Sequence, residues 1–170
     1  MSDPYQITFL GESGVGKSTL IKQLTEGKFD RDIPPSKTAQ FKQKEFEFPN
    51  GKITLDIYDT SGDNKYRSLA KMFFKKAKIA ILVYDVTNEK SFIELKEFWY
   101  NEVKENGPED ISFVIVANKD DCCGTKQVAN ETGEEFAKEI GAIFVSTSAG
   151  DGSTIEGLIK AIEQKIRDLQ

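Results

Sequence analysis

The chain has 170 residues, the usual size of one domain, so it can bury a full core without disulfide or metal staples. Its formal net charge of −5 argues against nucleic acid as a main partner. It has no histidine, which excludes the serine triad, a Cys–His pair and most catalytic zinc sites.

The N-terminus, Met1-Ser2-Asp3-Pro4, lacks the basic and apolar regions of a signal peptide. Tyr5 to Leu10 is apolar and β-rich and breaks at Gly11, so it is expected as a strand. Lys17 to Gln23 is expected as a helix, with Gly27 as its stop. Phe41 to Phe48 and Lys52 to Tyr58 flank Pro49-Asn50-Gly51, a strong hairpin signal. In the second of these runs Ile53, Leu55 and Ile57 alternate with Thr54 and Asp56, as in a half-buried strand. The basic group Lys71, Lys75, Lys76 and Lys78 is expected on a solvated helix face.

Ile79 to Tyr84 and Phe113 to Ala117 are continuous apolar runs, the mark of strands covered on both faces. Between them Phe92, Leu95, Trp99 and Val103 recur at helical spacing and are expected in the core. Adjacent Cys122 and Cys123 suit a reducing compartment and are expected as loop thiols. Ile143 to Val145 is a further short strand, and Ile155, Leu158, Ile159, Ile162, Ile166 and Leu169 lie on one face of a last helix. Strand and helix alternate throughout. The expected fold class is therefore α/β: a mostly parallel six-stranded sheet, helices on both faces, and one antiparallel edge hairpin strand. In such sheets ligands bind at the carboxyl ends of strands, where Gly11, Asp59, Asp85, Asn118 and Ser146 fall.

Residues 11 to 18, Gly-Glu-Ser-Gly-Val-Gly-Lys-Ser, match G-x-x-x-x-G-K-[ST] between a strand and a helix. A triphosphate needs converging backbone N–H groups, which Gly14 and Gly16 permit, and the positive end of the next helix. Lys17 would neutralise the β/γ oxygens and Ser18 would ligate Mg²⁺. Asp59, in Asp-Thr-Ser-Gly, has the letters of an aspartic protease, but that chemistry needs two carboxylates sharing a proton, and the chain has one such motif on the wrong scaffold. Downstream of a phosphate loop, Asp59 is expected to hold Mg²⁺. Asn118-Lys119-Asp120-Asp121 fits the guanine-selecting Asn-Lys-x-Asp. Strict spacing makes Asp121 the selector, whose carboxylate accepts from the N1–H and exocyclic amine that adenine lacks.

With these motifs in this order, together with "YDTSGDNKYRSLAKMFF", "AILVYDVTNEKSF" and "STSAG", the sequence resembles a small GTPase of the Ras superfamily, closest to the Rab branch. The resemblance covers about the whole chain and implies a single GTP-binding domain over residues 1 to 170 with the P-loop NTPase (small G-protein) fold. Rab-like details are Ser13 and the run Tyr66-Arg67-Ser68-Leu69. The resemblance implies nucleotide contacts from Ser13, Gly14, Val15, Gly16, Lys17, Ser18 and Thr19. It implies an aromatic edge against the base from Phe29, base selection by Asn118, Lys119 and Asp121, and a last base loop at Ser148, Ala149 and Gly150. Phe41, Tyr58 and Phe73 match an aromatic triad through which effector, exchange-factor and GTPase-activating proteins bind.

The departures are specific. Counting from Lys17 puts Ser36 where the family's Mg²⁺-binding threonine stands, with Thr38 two residues late; Ser36 is the preferred ligand beside Ser18 and Asp59. Gly150 stands where lysine is usual. The resemblance implies catalytic positions at Lys17, Gly62 and Asp63, and Asp63 stands where the family has its water-positioning glutamine. An ionised Asp only accepts hydrogen bonds, is one methylene shorter and faces the γ-phosphate charge, so slow GTP hydrolysis is expected. The reading is a GTP/GDP-binding switch with Mg²⁺, in vesicle traffic by resemblance, with a pseudo-GTPase binding module of negligible turnover as the alternative. A monomeric, cytoplasmic protein is expected, peripheral on endomembranes only through a lipidated tail that this sequence does not carry; Asp168-Leu169-Gln170 has no terminal cysteine.

Overall fold

The computed structural model describes residues 3–27, 40–60, 67–119, 125–148 and 152–169. Phe29, Ser36, Thr38, Gly62, Asp63, Asp120, Asp121, Cys122, Cys123, Ala149 and Gly150 lie outside the described residues. In chain order the elements are β1 (Tyr5–Leu10), α1 (Lys17–Glu26), β2 (Gln40–Phe48), β3 (Gly51–Asp59), α2 (Arg67–Phe74), β4 (Ile79–Asp85), α3 (Glu89–Glu94), a π-helical turn (Leu95–Trp99), α4 (Tyr100–Asn106), β5 (Ser112–Asn118), α5 (Asn130–Ile140), β6 (Ile143–Ser146) and α6 (Gly152–Leu169).

The six strands form one sheet in the order β2-β3-β1-β4-β5-β6. All neighbours pair in parallel except β2 with β3. The expected α/β architecture with one antiparallel edge strand is what the chain adopts. The hairpin closes at the Phe48↔Gly51 pair, so its two-residue turn is Pro49-Asn50 and Gly51 already belongs to β3. From β1 the sheet grows one way to β3 and the other way to β4. The carboxyl end of β1 is therefore the place where the strand order reverses, and there the crevice for a ligand opens.

Two apolar layers sandwich the sheet. On one face Ile7, Phe9, Leu20, Ile57, Ile81 and Val116 pack with Leu158, Ile162 and Ile166 of α6. On the other, Leu10, Leu82, Tyr84 and Ile115 pack with Phe74, Trp99, Val103 and Phe136 from the helices. Every residue of β4 is buried, and all but the first of β5, which explains their unbroken apolar runs. Tyr100 donates its N–H to Leu95 O, the five-residue step of a π turn, and that turn seats Leu95 and Trp99 in the core.

Two expectations need correction. Only Lys71 of the basic group lies on α2, which ends at Phe74; Lys75, Lys76 and Lys78 follow it on the way into β4. The chain must turn there because Ala77 and Ile79 are pulled into the core, while Phe73 O is held to β1 by Gln6 Nε2 at 2.9 Å and Thr8 Oγ1 at 2.6 Å. Lys71 is also not simply solvated: its Nζ lies 3.7 Å from Glu102 of α4. Helix α5 has a weaker sequence signal, since its buried face is only Gly133, Phe136 and Ala137.

Candidate functional site

The loop between β1 and α1 is shaped by glycines. Gly14 and Gly16 sit at φ 82° and 104°, where a side chain is strained. A Cβ on Gly16 would also fall 2.2 Å from Asn118 Nδ2, so this glycine is needed for close approach as well as for the turn. Gly16 caps α1, and its O accepts from Leu20 N–H at 3.0 Å. Ser13 and Val15 lie in the loop, the latter buried, and Lys17, Ser18 and Thr19 form the first turn of the helix.

Lys17 is 6% exposed, and its Nζ donates to Gly11 O at 2.9 Å and Glu12 O at 2.8 Å. Burial pushes its pKa from 10.5 down to about 8; the negative charges of Asp59 and Glu12 oppose that shift without cancelling it. Asp59, buried at the end of β3, accepts a hydrogen bond from Ser18 Oγ on Oδ2. Parallel pairing brings this about: Phe9 of β1 is in register with Asp59, and the adjacent Thr60 donates its hydroxyl to Phe9 O at 2.7 Å. A cavity of about 240 Å³ opens beside the pair, with Lys22, Glu26 and Lys42 on its walls.

The Asn118-Lys119 corner is built onto the same loop from the far side. Asn118 Nδ2 donates to Val15 O at 2.8 Å, and its Oδ1 accepts from Thr147 Oγ1 at 2.9 Å. Lys119 Nζ donates to Gly14 O at 2.7 Å and lies 3.1 Å from Asp85 Oδ2. Ser148, two residues past β6, is held by Thr154, whose Oγ1 accepts from Ser148 N–H at 2.9 Å. Ser148 Oγ is buried with no hydrogen-bond partner among the described residues, the kind of atom a ligand completes. Thr147 and Thr60 join this site without having been marked for it by the sequence, and Asp85, noted there only as a residue at a strand end, joins it through Lys119.

At the sheet edge Phe41, Tyr58 and Phe73 form a continuous aromatic row. The first pair of ring centroids lies 5.1 Å apart and the second 5.7 Å. Phe41 is 52% exposed, and α2 also presents Leu69 and Met72 to solvent.

A glycine-cradled loop at the head of a helix, a buried lysine, a Ser–Asp oxygen pair and an Asn-Lys corner at the switch point of a parallel sheet define a P-loop nucleotide-binding protein. The Ras family model matches residues 6–168. Human "Ras-related protein Rab-31" is 37% identical over 164 residues, 96% of this chain and 84% of that protein. Human "Ras-related protein Rab-22A" is 35% identical over 161 residues, covering 95% and 82%. "Ras-related protein RabJ" of Dictyostelium discoideum is 34% identical over 161 residues, covering 95% and 62%. The chain belongs to the Ras family: it is a Rab-like small GTPase, a GTP/GDP-binding switch in membrane traffic. These relatives lend the alternative of a module with negligible turnover no support over a working GTPase. No helix among the described residues is long and apolar enough to cross a membrane.

Proposed function

We propose that this chain is one GTP-binding domain over residues 1 to 170, monomeric, that binds guanine nucleotides with Mg²⁺ and hydrolyses GTP slowly. One observation carries the reading: Asn118 and Lys119 reach across the sheet to Val15 O and Gly14 O, so the base corner and the phosphate loop form a single receptor. A nucleotide of the right length is then gripped at both ends.

The roles follow from the chemistry of each group. Backbone N–H groups from Ser13 to Thr19 face the phosphates, with the α1 dipole behind them. Lys17 places its ammonium against the β/γ oxygens. Asp121 selects guanine, Lys119 lies along the base, and Phe29, Ser148, Ala149 and Gly150 close the base side. Ser18 and Asp59 fit a hard divalent cation, since both offer oxygen and already touch. With Ser36 as the third protein ligand they would hold Mg²⁺, which when bound neutralises charge between the β- and γ-phosphates. The aromatic row Phe41, Tyr58 and Phe73 is read as the docking face for effectors, exchange factors and GTPase-activating proteins. Peripheral residence on endomembranes is the location this reading implies.

Gly62 and Asp63 set the rate. Asp63 lacks the donor that a glutamine amide offers to the attacking water or the γ-phosphate oxygens, and its charge opposes the charge developing there. The test is to identify the nucleotide that co-purifies and to time single-turnover hydrolysis in the wild type and Asp63→Gln. Guanine nucleotide, slow wild-type turnover and at least about a tenfold gain in Asp63→Gln are expected, equivalent to ~1.4 kcal/mol of barrier. A rate that falls in Asp63→Gln would make Asp63 a general base instead.

A further inference from the structure

Asp85 ends β4 in register with Asn118 of β5 and is 7% exposed. Its two carboxylate oxygens have separate duties. Oδ1 accepts from Thr87 N–H at 2.8 Å and Thr87 Oγ1 at 2.6 Å, which fixes the turn after β4. Oδ2 lies 3.1 Å from Lys119 Nζ, while that same ammonium donates to Gly14 O at 2.7 Å. A single lysine thus bridges the end of β4 and the phosphate loop.

Lys119 is the one non-glycine residue at positive φ among the described residues, at 65°. That conformation costs about 1–2 kcal/mol and persists where the surroundings over-determine it. The backbone turn aims the long side chain back over the P-loop, and the two contacts on its tip fix it there. A lysine left to itself would keep about 2 kcal/mol of rotamer entropy, to be lost on every binding event.

We infer that Asp85 is a positioning residue for guanine-nucleotide binding: by pairing with Lys119 it pre-orders the lysine between Gly14 and the base, before the ligand arrives. This rests on the reading of the Asn118–Asp121 corner as the base site. The competing view is that Asp85 serves only the Thr87 turn. Asp85→Asn separates the two, because Asn keeps an Oδ1 acceptor for Thr87 and turns an NH₂ donor toward the Lys119 ammonium.

The readout is dissociation of fluorescently labelled GDP from the loaded protein, with melting as a check on the fold. Asp85→Asn is expected to release GDP roughly five- to tenfold faster, as for loss of a part-exposed ion pair plus the like-polarity contact that replaces it. In a Lys119→Met background Asp85→Asn should have no further effect, since its target is gone. Thr87→Val, which keeps the ion pair and removes a turn hydroxyl, should release GDP at the wild-type rate. The inference is overturned by an unchanged rate in Asp85→Asn, by additivity with Lys119→Met, or by equal acceleration in Thr87→Val. A melting temperature more than about 10 °C below wild type in Asp85→Asn also overturns it, in favour of a structural role. A wild-type protein that releases GDP and ADP equally fast would instead sink the guanine-site reading itself.

Discussion

Lys17 carries its ammonium into a pocket where desolvation outweighs two nearby carboxylates, and its pKa falls to about 8. On the proposed reading, bound phosphate oxygens would add opposite charge at short range and so restore the charged form. The sign of the pH dependence follows. Below pH 8 the lysine is already protonated and binding takes up no proton there. Above pH 8 the protein without nucleotide has lost that proton, and binding must recover it. Affinity for GDP should then fall by up to about tenfold per pH unit as pH rises above 8. Titrations of GDP between pH 7 and 9 check this, with Lys17→Met as the reference whose profile should stay flat. A flat profile in the wild type would mean that the lysine keeps its charge despite burial.

Arg67, the first described residue of α2, fastens that helix to the rest of the protein. Its guanidinium pairs with Glu12 of the phosphate loop and, at 3.2 Å, with Glu94 of α3. It also lies 4.1 Å from the Phe98 ring centroid and 5.4 Å from that of Trp99. Trp99 Nε1 completes the cluster by donating to Glu12 Oε1 at 3.0 Å. Three elements that approach the site from different sides therefore meet on one planar cation. Arg67→Ala would leave Glu94 without this cation and Glu12 with the Trp99 N–H alone, at a cost of about 1–3 kcal/mol, or roughly 3–10 °C in melting temperature for a chain of this size. Arg67→Lys should recover little, because an ammonium neither stacks nor forks. Trp99 is the chain's only tryptophan, so its emission reports on this cluster alone and should shift to the red in Arg67→Ala. An unchanged melting temperature and spectrum would show that the cluster holds nothing in place.

At the scale of the whole molecule, the sheet buries its centre and leaves its β2 edge to solvent. Phe41 stands on that edge, half exposed, in contact with Tyr58, which in turn touches Phe73. A large aromatic left this exposed contributes little to the fold, and on the proposed reading it anchors a partner. Phe41→Ala should shift the melting temperature by less than about 3 °C. The same variant should weaken binding of the GTP-loaded protein to an effector by more than about tenfold, the ~1.4 kcal/mol or more of an interface anchor. Calorimetric melting and a binding titration on the same preparation check both halves. Lost stability with intact binding would assign Phe41 to packing instead.

The residue order by itself determined the architecture and the phosphate loop, because both are written in short-range terms. Unbroken apolar runs at Ile79–Tyr84 and Phe113–Ala117 leave no polar face to expose, and β4 and β5 are buried accordingly. Eight consecutive residues between a strand and a helix specify a glycine-shaped loop at a helix terminus, since glycine φ angles and a helix end are local properties. Asn118 and Lys119 were legible as a motif, but their partners were not. Asn118 meets Val15 across 103 positions and Lys119 meets Gly14 across 105, distances that only parallel strand register closes. The same holds for Ser18 with Asp59, for Asp85 with Lys119, and for the meeting of Glu12, Arg67 and Trp99. The end of α2 before Lys75 was likewise settled by tertiary demands, with Ala77 and Ile79 drawn into the core. Side-chain type names the chemistry a residue can do. Which residue it does it with is set by the sheet, because strand order fixes neighbours that the chain keeps far apart.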